Sequence, residues 1–178
     1  RNFINISPFI SDDSSNIADF GRFSKMVTAL YADDNDWLWV GTTQEIALYN
    51  RYTNKFILVN DIYKGFVLPK DMWIKKITGD KTSNIWILTQ NGGLFCYNRK
   101  LGKMISFNWP PGVAGKINLF CSEDAGNVWA GSETELYQLK GRNFLPVGLQ
   151  KKLGSHIIVM ADIALVNHQP WCIINGAE

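Results

Sequence analysis

A tryptophan recurs along this chain at nearly constant spacing, each time inside a short β-rich run. The four runs are Trp37-Leu38-Trp39-Val40-Gly41-Thr42, Ile85-Trp86-Ile87-Leu88-Thr89, Val128-Trp129-Ala130-Gly131-Ser132 and Pro170-Trp171-Cys172-Ile173-Ile174. Trp39 and Trp86 are 47 residues apart, Trp86 and Trp129 are 43 apart, and Trp129 and Trp171 are 42 apart. One unit of about forty residues cannot bury its apolar face alone, so a chain of such units must stack them. That requirement limits the fold to repeat architectures.

Each full repeat divides into four β-rich runs parted by turn residues. The first repeat reads 27–32, 37–42, 46–50 and 55–59, with Asp33-Asp34-Asn35-Asp36 and Arg51-Tyr52-Thr53-Asn54 among its turns. The second reads 74–78, 85–89, 94–97 and 104–107, with Asn91-Gly92-Gly93 before its third run; the third reads 117–121, 128–132, 136–139 and 143–147. Runs of four to six residues joined by Gly, Asn and Asp describe an antiparallel meander. No stretch keeps a 3.6-residue period over a helical length, which excludes helical repeats. Four strands per period in the forties predict an all-β chain, a β-propeller segment of about three full blades with partial blades at both ends.

The expected boundaries are 1–10 for the last strand of a preceding blade, 24–60, 72–108 and 115–148 for full blades, and 155–178 for the first two strands of a further one. The chain starts at Arg1 rather than Met, which reads as an excised or processed piece. Terminal blades would expose unpaired edges, so the remaining blades of a parent ring, or a second copy, are expected partners. Eighteen basic and sixteen acidic residues leave a net charge of +2, with no basic run longer than Lys75-Lys76 or Lys151-Lys152. Nucleic acid as a partner calls for a basic stripe, which is lacking. No apolar run reaches the ~18 residues of a membrane helix, so no membrane contact by this segment is expected.

Cys96, Cys121 and Cys172 form no CxxC or Cys/His spacing and sit in apolar strands, where a free thiol packs as a small hydrophobe. The acidic turns Asp33-Asp34-Asn35-Asp36 and Glu123-Asp124 lack the calcium-loop pattern and read as hairpin turns. Asn91-Gly92-Gly93 lies between strands rather than opening a helix, so it cradles no phosphate. No metal and no cofactor is expected. His156 and His168 have no nucleophile motif beside them, and the loop acids Glu45, Asp61, Asp71, Glu133 and Glu135 read as solvated carboxylates.

The pattern running from an acidic turn through Asn-Ile-Trp or Asn-Val-Trp to a small hydroxyl residue resembles the two-component regulator propeller repeat. Ser122 to Ser132 and Asn84 to Phe95 carry it most fully. Counted from Asp34 and Asp124, each five residues before its Trp, the second repeat holds one extra residue between Asp80 and Trp86, and the fourth has no Asp. The resemblance implies a seven-bladed periplasmic sensor of oligosaccharides in a membrane-anchored hybrid regulator that signals to a histidine kinase. It assigns Asp34, Asp124 and the four Trp residues a structural role. Ser122-x-Asp124-x-Gly126-x-x-Trp129 also resembles the Asp-box of sialidases, a structural turn; the arginine cluster a sialidase needs is not evident.

Trp39, Trp86, Trp129 and Trp171 recur at one strand position and are expected to pack between blades. Ligands are expected instead at the loops 43–45, 60–73, 90–93 and 108–116. There Lys70, Asp71, Trp73, Gln90, Asn91, Asn108 and Trp109 offer aromatic faces beside hydrogen-bonding groups, which suits a sugar ring with its apolar face and polar rim. A non-catalytic oligosaccharide sensor is the leading reading. A propeller-type glycoside hydrolase or lyase, and a protein-interaction scaffold, are the alternatives.

Overall fold

The computed structural model describes residues 26–53, 55–69, 72–124, 127–149, 151 and 158–176. The first blade holds β1 (Val27–Ala32), β2 (Trp37–Thr42), β3 (Ile46–Asn50) and β4 (Lys55–Leu58), followed by the single helical turn α1 (Val59–Ile62). The second holds β5 (Ile74–Gly79), β6 (Ile85–Thr89), β7 (Leu94–Asn98) and β8 (Lys103–Ser106); a 3-10 turn, Ala114–Lys116, leads on to the third. The third holds β9 (Leu119–Asp124), β10 (Asn127–Gly131), β11 (Leu136–Lys140) and β12 (Asn143–Pro146), and β13 (Ile158–Val166) and β14 (Gln169–Gly176) form a hairpin. Every strand pairs antiparallel with its sequence neighbour, giving three four-stranded sheets and one two-stranded sheet. The all-β propeller reading holds. The expected preceding strand at 1–10 lies outside the described residues, as do Lys70, Asp71 and His156.

Alternation along the strands decides which side chains join neighbouring sheets. Trp39 of β2 faces the second blade and packs with Ile46 and Leu48 against Ile74, Ile77, Ile85 and Ile87. In β6 the roles split by parity: Ile85 and Ile87 face the first blade, while Trp86 and Leu88 face Ile117, Phe120, Val128 and Ala130 of the third. Trp129 packs, half-buried, against the Met160 and Ile163 cluster of the hairpin. Close approach requires glycine at Gly41, where an added Cβ would lie 2.7 Å from Ile74 Cγ2. Trp39 and Trp86 are buried as expected, but Trp171 is 64% exposed and Ile173 60%. Trp171 lies on the face by which Trp39 and Trp86 meet the next blade, and among the described residues no sheet covers that face of β14.

The acidic turns explain how an indole N–H enters the core. Asp33 Oδ1 accepts from the backbone N–H groups of Asn35 (2.8 Å) and Trp37 (3.1 Å), and its Oδ2 accepts from Trp39 Nε1 at 2.8 Å. Asp80 repeats this, accepting from Thr82 N (2.8 Å), Asn84 N (3.0 Å), Asn84 Nδ2 (2.9 Å) and Trp86 Nε1 (2.7 Å). The working acid therefore stands six residues before its Trp in both blades, which corrects the alignment on Asp34. Asp34 is exposed, and the apparent extra residue in the second repeat disappears. The third residue after each acid takes a left-handed φ, 60° at Asp36 and 65° at Ser83.

In the third blade Glu123 occupies the acid's place, and its longer side chain leaves the turn. It pairs with Lys81 of the preceding blade, and its Oε2 lies 2.5 Å from His168 Nδ1 of the following hairpin. Trp129 Nε1 donates to Asn127 Oδ1 instead, at 2.8 Å. The side chain of Asp124 is outside the described residues. Arg99 ties the first two blades together: it pairs with Asp33 and lies 5.5 Å from the Trp39 ring and 5.4 Å from the Tyr63 ring. Burial opposes ionisation of Asp33, yet hydrogen bonds from Trp39, Arg99 and the turn hold its carboxyl below the usual range.

Candidate functional site

Antiparallel order places the β2–β3, β6–β7 and β10–β11 turns at the end of the blades opposite the acidic turns. The connections from each outer strand to the next blade lie at this same end. A buried hydroxyl shapes each turn. Thr42 Oγ1 donates to Glu45 O (2.9 Å) and accepts from Gln44 N (3.2 Å) and Glu45 N (3.0 Å). Thr89 Oγ1 accepts from Gly93 N at 2.9 Å, and Ser132 Oγ from Glu135 N at 3.1 Å. Gly92, with φ 74°, supplies the left-handed residue that the Asn91-Gly92-Gly93 turn requires. The turn backbones are thus fixed from within, leaving the flanking side chains free to vary.

Three of the expected ligand residues come together here. Gln90 N donates to Trp73 O at 2.8 Å, joining the long loop before β5 to the β6–β7 turn. Trp73 is 53% exposed, and Gln90 and Asn91 are exposed beside it. Asn108 and Trp109 do not join them. Asn108 bridges to Asn143 at the start of the third blade's outer strand, with Nδ2 3.2 Å from Asn143 Oδ1. Trp109 stacks on Phe144 with centroids 4.1 Å apart and meets Tyr137 edge-on at 6.1 Å. Trp109 is a packing residue under its loop, because the chain leaving β8 turns back along the side of the third blade.

A groove of about 220 Å³ opens between the first β2–β3 turn and the loop leading to β5; Met72 lines it, and Trp73, the next residue, does not. Its walls are apolar, from Leu58, Phe66, Leu68, Pro69 and Met72, and its polar groups are Gln44, Glu45 and Asn60. The loop is anchored from below: Tyr63 stacks on Trp39 at 5.5 Å and Phe66 lies 5.4 Å from Tyr97. Sequence reasoning marked the loop but missed Gln44 and Asn60 as lining residues and read Glu45 only as a solvated acid. The one available signal was the position of Gln44-Glu45 directly after the Thr42 cap.

The other loop acids do different work. Glu135 Oε1 accepts from Leu136 N (2.9 Å), Gly148 N (3.1 Å) and Leu149 N (3.1 Å), so its carboxylate is occupied. Asp61 and Glu133 are exposed. Among the described residues no three His, Cys, Asp or Glu side chains group as metal ligands. The three cysteines are unpaired; burial pushes the Cys96 and Cys121 thiols up to about 12, far from a nucleophilic thiolate.

Residues 21–44 match the family model described as "Two component regulator propeller". No curated protein matches the chain. Among solved structures it is similar to the extracellular domain of BT4673 from B. thetaiotaomicron, at 15% identity and a TM-score of 0.59 over 90% of this chain and 24% of that one. The extracellular domain of the hybrid two component system BT3049 from the same organism is similar at 19% identity and a TM-score of 0.57, over 84% of this chain and 20% of that one. Virginiamycin B lyase from Staphylococcus aureus shares the fold at 13% identity and a TM-score of 0.60, over 83% of this chain and 48% of its own. The chain spans about a quarter or less of the two extracellular domains it matches. With one such repeat matched at residues 21–44 and the same four-stranded blade recurring behind it, the chain is a β-propeller segment.

Proposed function

We propose that this segment is part of a periplasmic, membrane-anchored sensor that binds an oligosaccharide without turning it over and signals to a histidine kinase. The observation that carries the reading is the groove, with its apolar wall and its rim of Gln44, Glu45 and Asn60, on the same end of the blades as the exposed Trp73 indole and the β6–β7 turn bonded to its backbone. Sugar rings present an apolar C–H face and a polar edge, and such a site matches both. The fold's occurrence in extracellular domains of hybrid two component systems supports the placement. Among the described residues the groove holds one carboxylate, whereas glycoside hydrolysis ordinarily uses two.

The open Trp171 and Ile173 face would take a further blade of the parent ring, or one from a second copy. The lyase on the same fold keeps an enzymatic reading in view. One experiment separates the two. The parent ectodomain is titrated with neutral oligosaccharides, reading thermal shift and, on the same samples, product release. A shift without cleavage, abolished by Trp73→Ala, supports the sensor. Cleavage overturns it in favour of the enzyme, and no response to any sugar overturns both.

A further inference from the structure

Glu45 and Glu135 occupy the same repeat position, three residues after the hydroxyl cap of the turn, Thr42 in the first blade and Ser132 in the third. Glu135 is consumed by structure, its carboxylate receiving three backbone N–H groups from its own strand and from the loop leaving its blade. In the first blade the corresponding loop forms α1 instead, whose Val59 carbonyl accepts from Tyr63 N at 2.8 Å. The Tyr63 amide closes that turn, no bond joins the Asn60 or Asp61 amide to Glu45, and among the described residues the Glu45 carboxylate has no hydrogen bond or ion pair. It is half-buried and lines the groove, where it is the one charged side chain among the described lining residues.

Resting on the carbohydrate reading of this groove, we infer that Glu45 is its specificity-determining residue and selects neutral sugars carrying a vicinal diol against uronates. A carboxylate is an acceptor only, with two oxygens that take two hydroxyl donors from adjacent ring carbons. Gln44 and Asn60 each supply both a donor and an acceptor, and Leu58, Pro69 and Met72 supply the apolar wall for the C–H face. A ligand carboxylate would meet Glu45 as a like charge in a partly desolvated groove, where juxtaposition is strongly unfavourable. The free acid thus provides attraction toward one class and repulsion toward the other.

The test titrates the parent ectodomain with cello-, xylo- and manno-hexaoses and with hexagalacturonate, by calorimetry, for the wild type, Glu45→Gln, Glu135→Gln and Trp73→Ala. Expected are binding of at least one neutral hexaose and none of the uronate, a loss of about tenfold or more for the neutral ligand in E45Q, and measurable uronate binding by E45Q. E135Q should lower thermal stability and leave affinity within twofold. Neutral binding that Trp73→Ala abolishes but E45Q leaves intact overturns the role of Glu45 and spares the sensor reading. Wild-type preference for the uronate overturns the selectivity in the same way. Binding of no hexaose at all overturns both.

Discussion

Replacing Asp80 by Ala tests how the repeat holds its tryptophan. The carboxylate accepts hydrogen bonds from Trp86 Nε1, from the backbone and side chain of Asn84, and from Thr82. Trp86 is 1% exposed and Asn84 3% exposed, so water cannot replace those partners without the turn opening. Asn84 Nδ2 keeps Thr82 Oγ1 at 2.7 Å, which leaves the Trp86 indole and the Asn84 amide as the orphaned donors. At about 1–3 kcal/mol per buried unsatisfied group, the loss should be about 3 kcal/mol. With an unfolding entropy of about 2.1 cal/mol/K per residue, that lowers the melting temperature by about 8 °C. Calorimetry and urea titration at pH 7 measure it, with Asp34→Ala as the control at under about 0.5 kcal/mol. The pH dependence adds a second check. Burial acts to raise the Asp80 pKa, but hydrogen bonds from Trp86, Asn84 and Thr82 outweigh it and hold the pKa low. A depressed carboxyl contributes stability above its unfolded value near 3.9, and that contribution fades as pH falls through the folded one. The gap between wild type and D80A should therefore narrow as the pH falls below about 4. Equal costs for D80A and D34A, or a gap that ignores pH, would refute the account.

Arg99→Ala should cost about 3–5 kcal/mol, because the pair with Asp33 is only 14% and 2% exposed, whereas Arg51→Ala, from a pair 58% and 49% exposed, should cost far less. Denaturant midpoints of the two variants decide this, and equal costs would sink it. Trp109→Ala should lower stability by about 3 kcal/mol and leave sugar affinity unchanged, since its half-buried ring is stacked on Phe144; lost affinity without lost stability would return Trp109 to the binding site. Cys96 and Cys121, with thiols pushed up to about 12 by burial, should resist a disulfide reagent at pH 8 until the chain is unfolded. Labelling of Cys96 in the folded protein at a free-thiol rate would contradict its burial.

Much of the fold was legible because the signal is repeated. A Trp flanked by branched residues, a hydroxyl residue shortly after it and an acidic turn shortly before it recur closely enough to fix the strands. The alignment on Asp34 missed by one residue because two adjacent aspartates stand in that turn. Only the bond geometry shows that Asp33 Oδ2 reaches the Trp39 indole. The exposure of Trp171 was not legible, since burial depends on the sheet that packs against a residue and not on its own strand. The site was half legible. The sequence marks Trp73 as an aromatic with polar neighbours, Lys70 and Asp71, and marks Gln90 and Asn91 only by their turn; the Gln90 N to Trp73 O bond that joins them depends on the fold. Trp109 met the same description, and its stacking on Phe144 depends on a residue 35 positions away.

The two ends of the blades differ in how freely their side chains can change. At the acidic end, the side chains that shape the turns also contact the core. Asp33 and Asp80 bond the indoles, Arg99 crosses from one blade to the next, and Glu123 joins turns on either side of it. Substitution there reaches the packing between sheets. At the opposite end the hydroxyls of Thr42, Thr89 and Ser132 fix the turns from inside, so fewer of the side chains after them are committed to the core. The chain uses that freedom differently in each blade: Glu135 clamps a loop, Asn91 and Gln90 stand beside Trp73, and Glu45 faces a groove with its carboxylate unengaged. A repeat that must keep its core can acquire a ligand only where side chains are released from structural work, and among the described residues the end bearing Glu45 and Trp73 meets that condition.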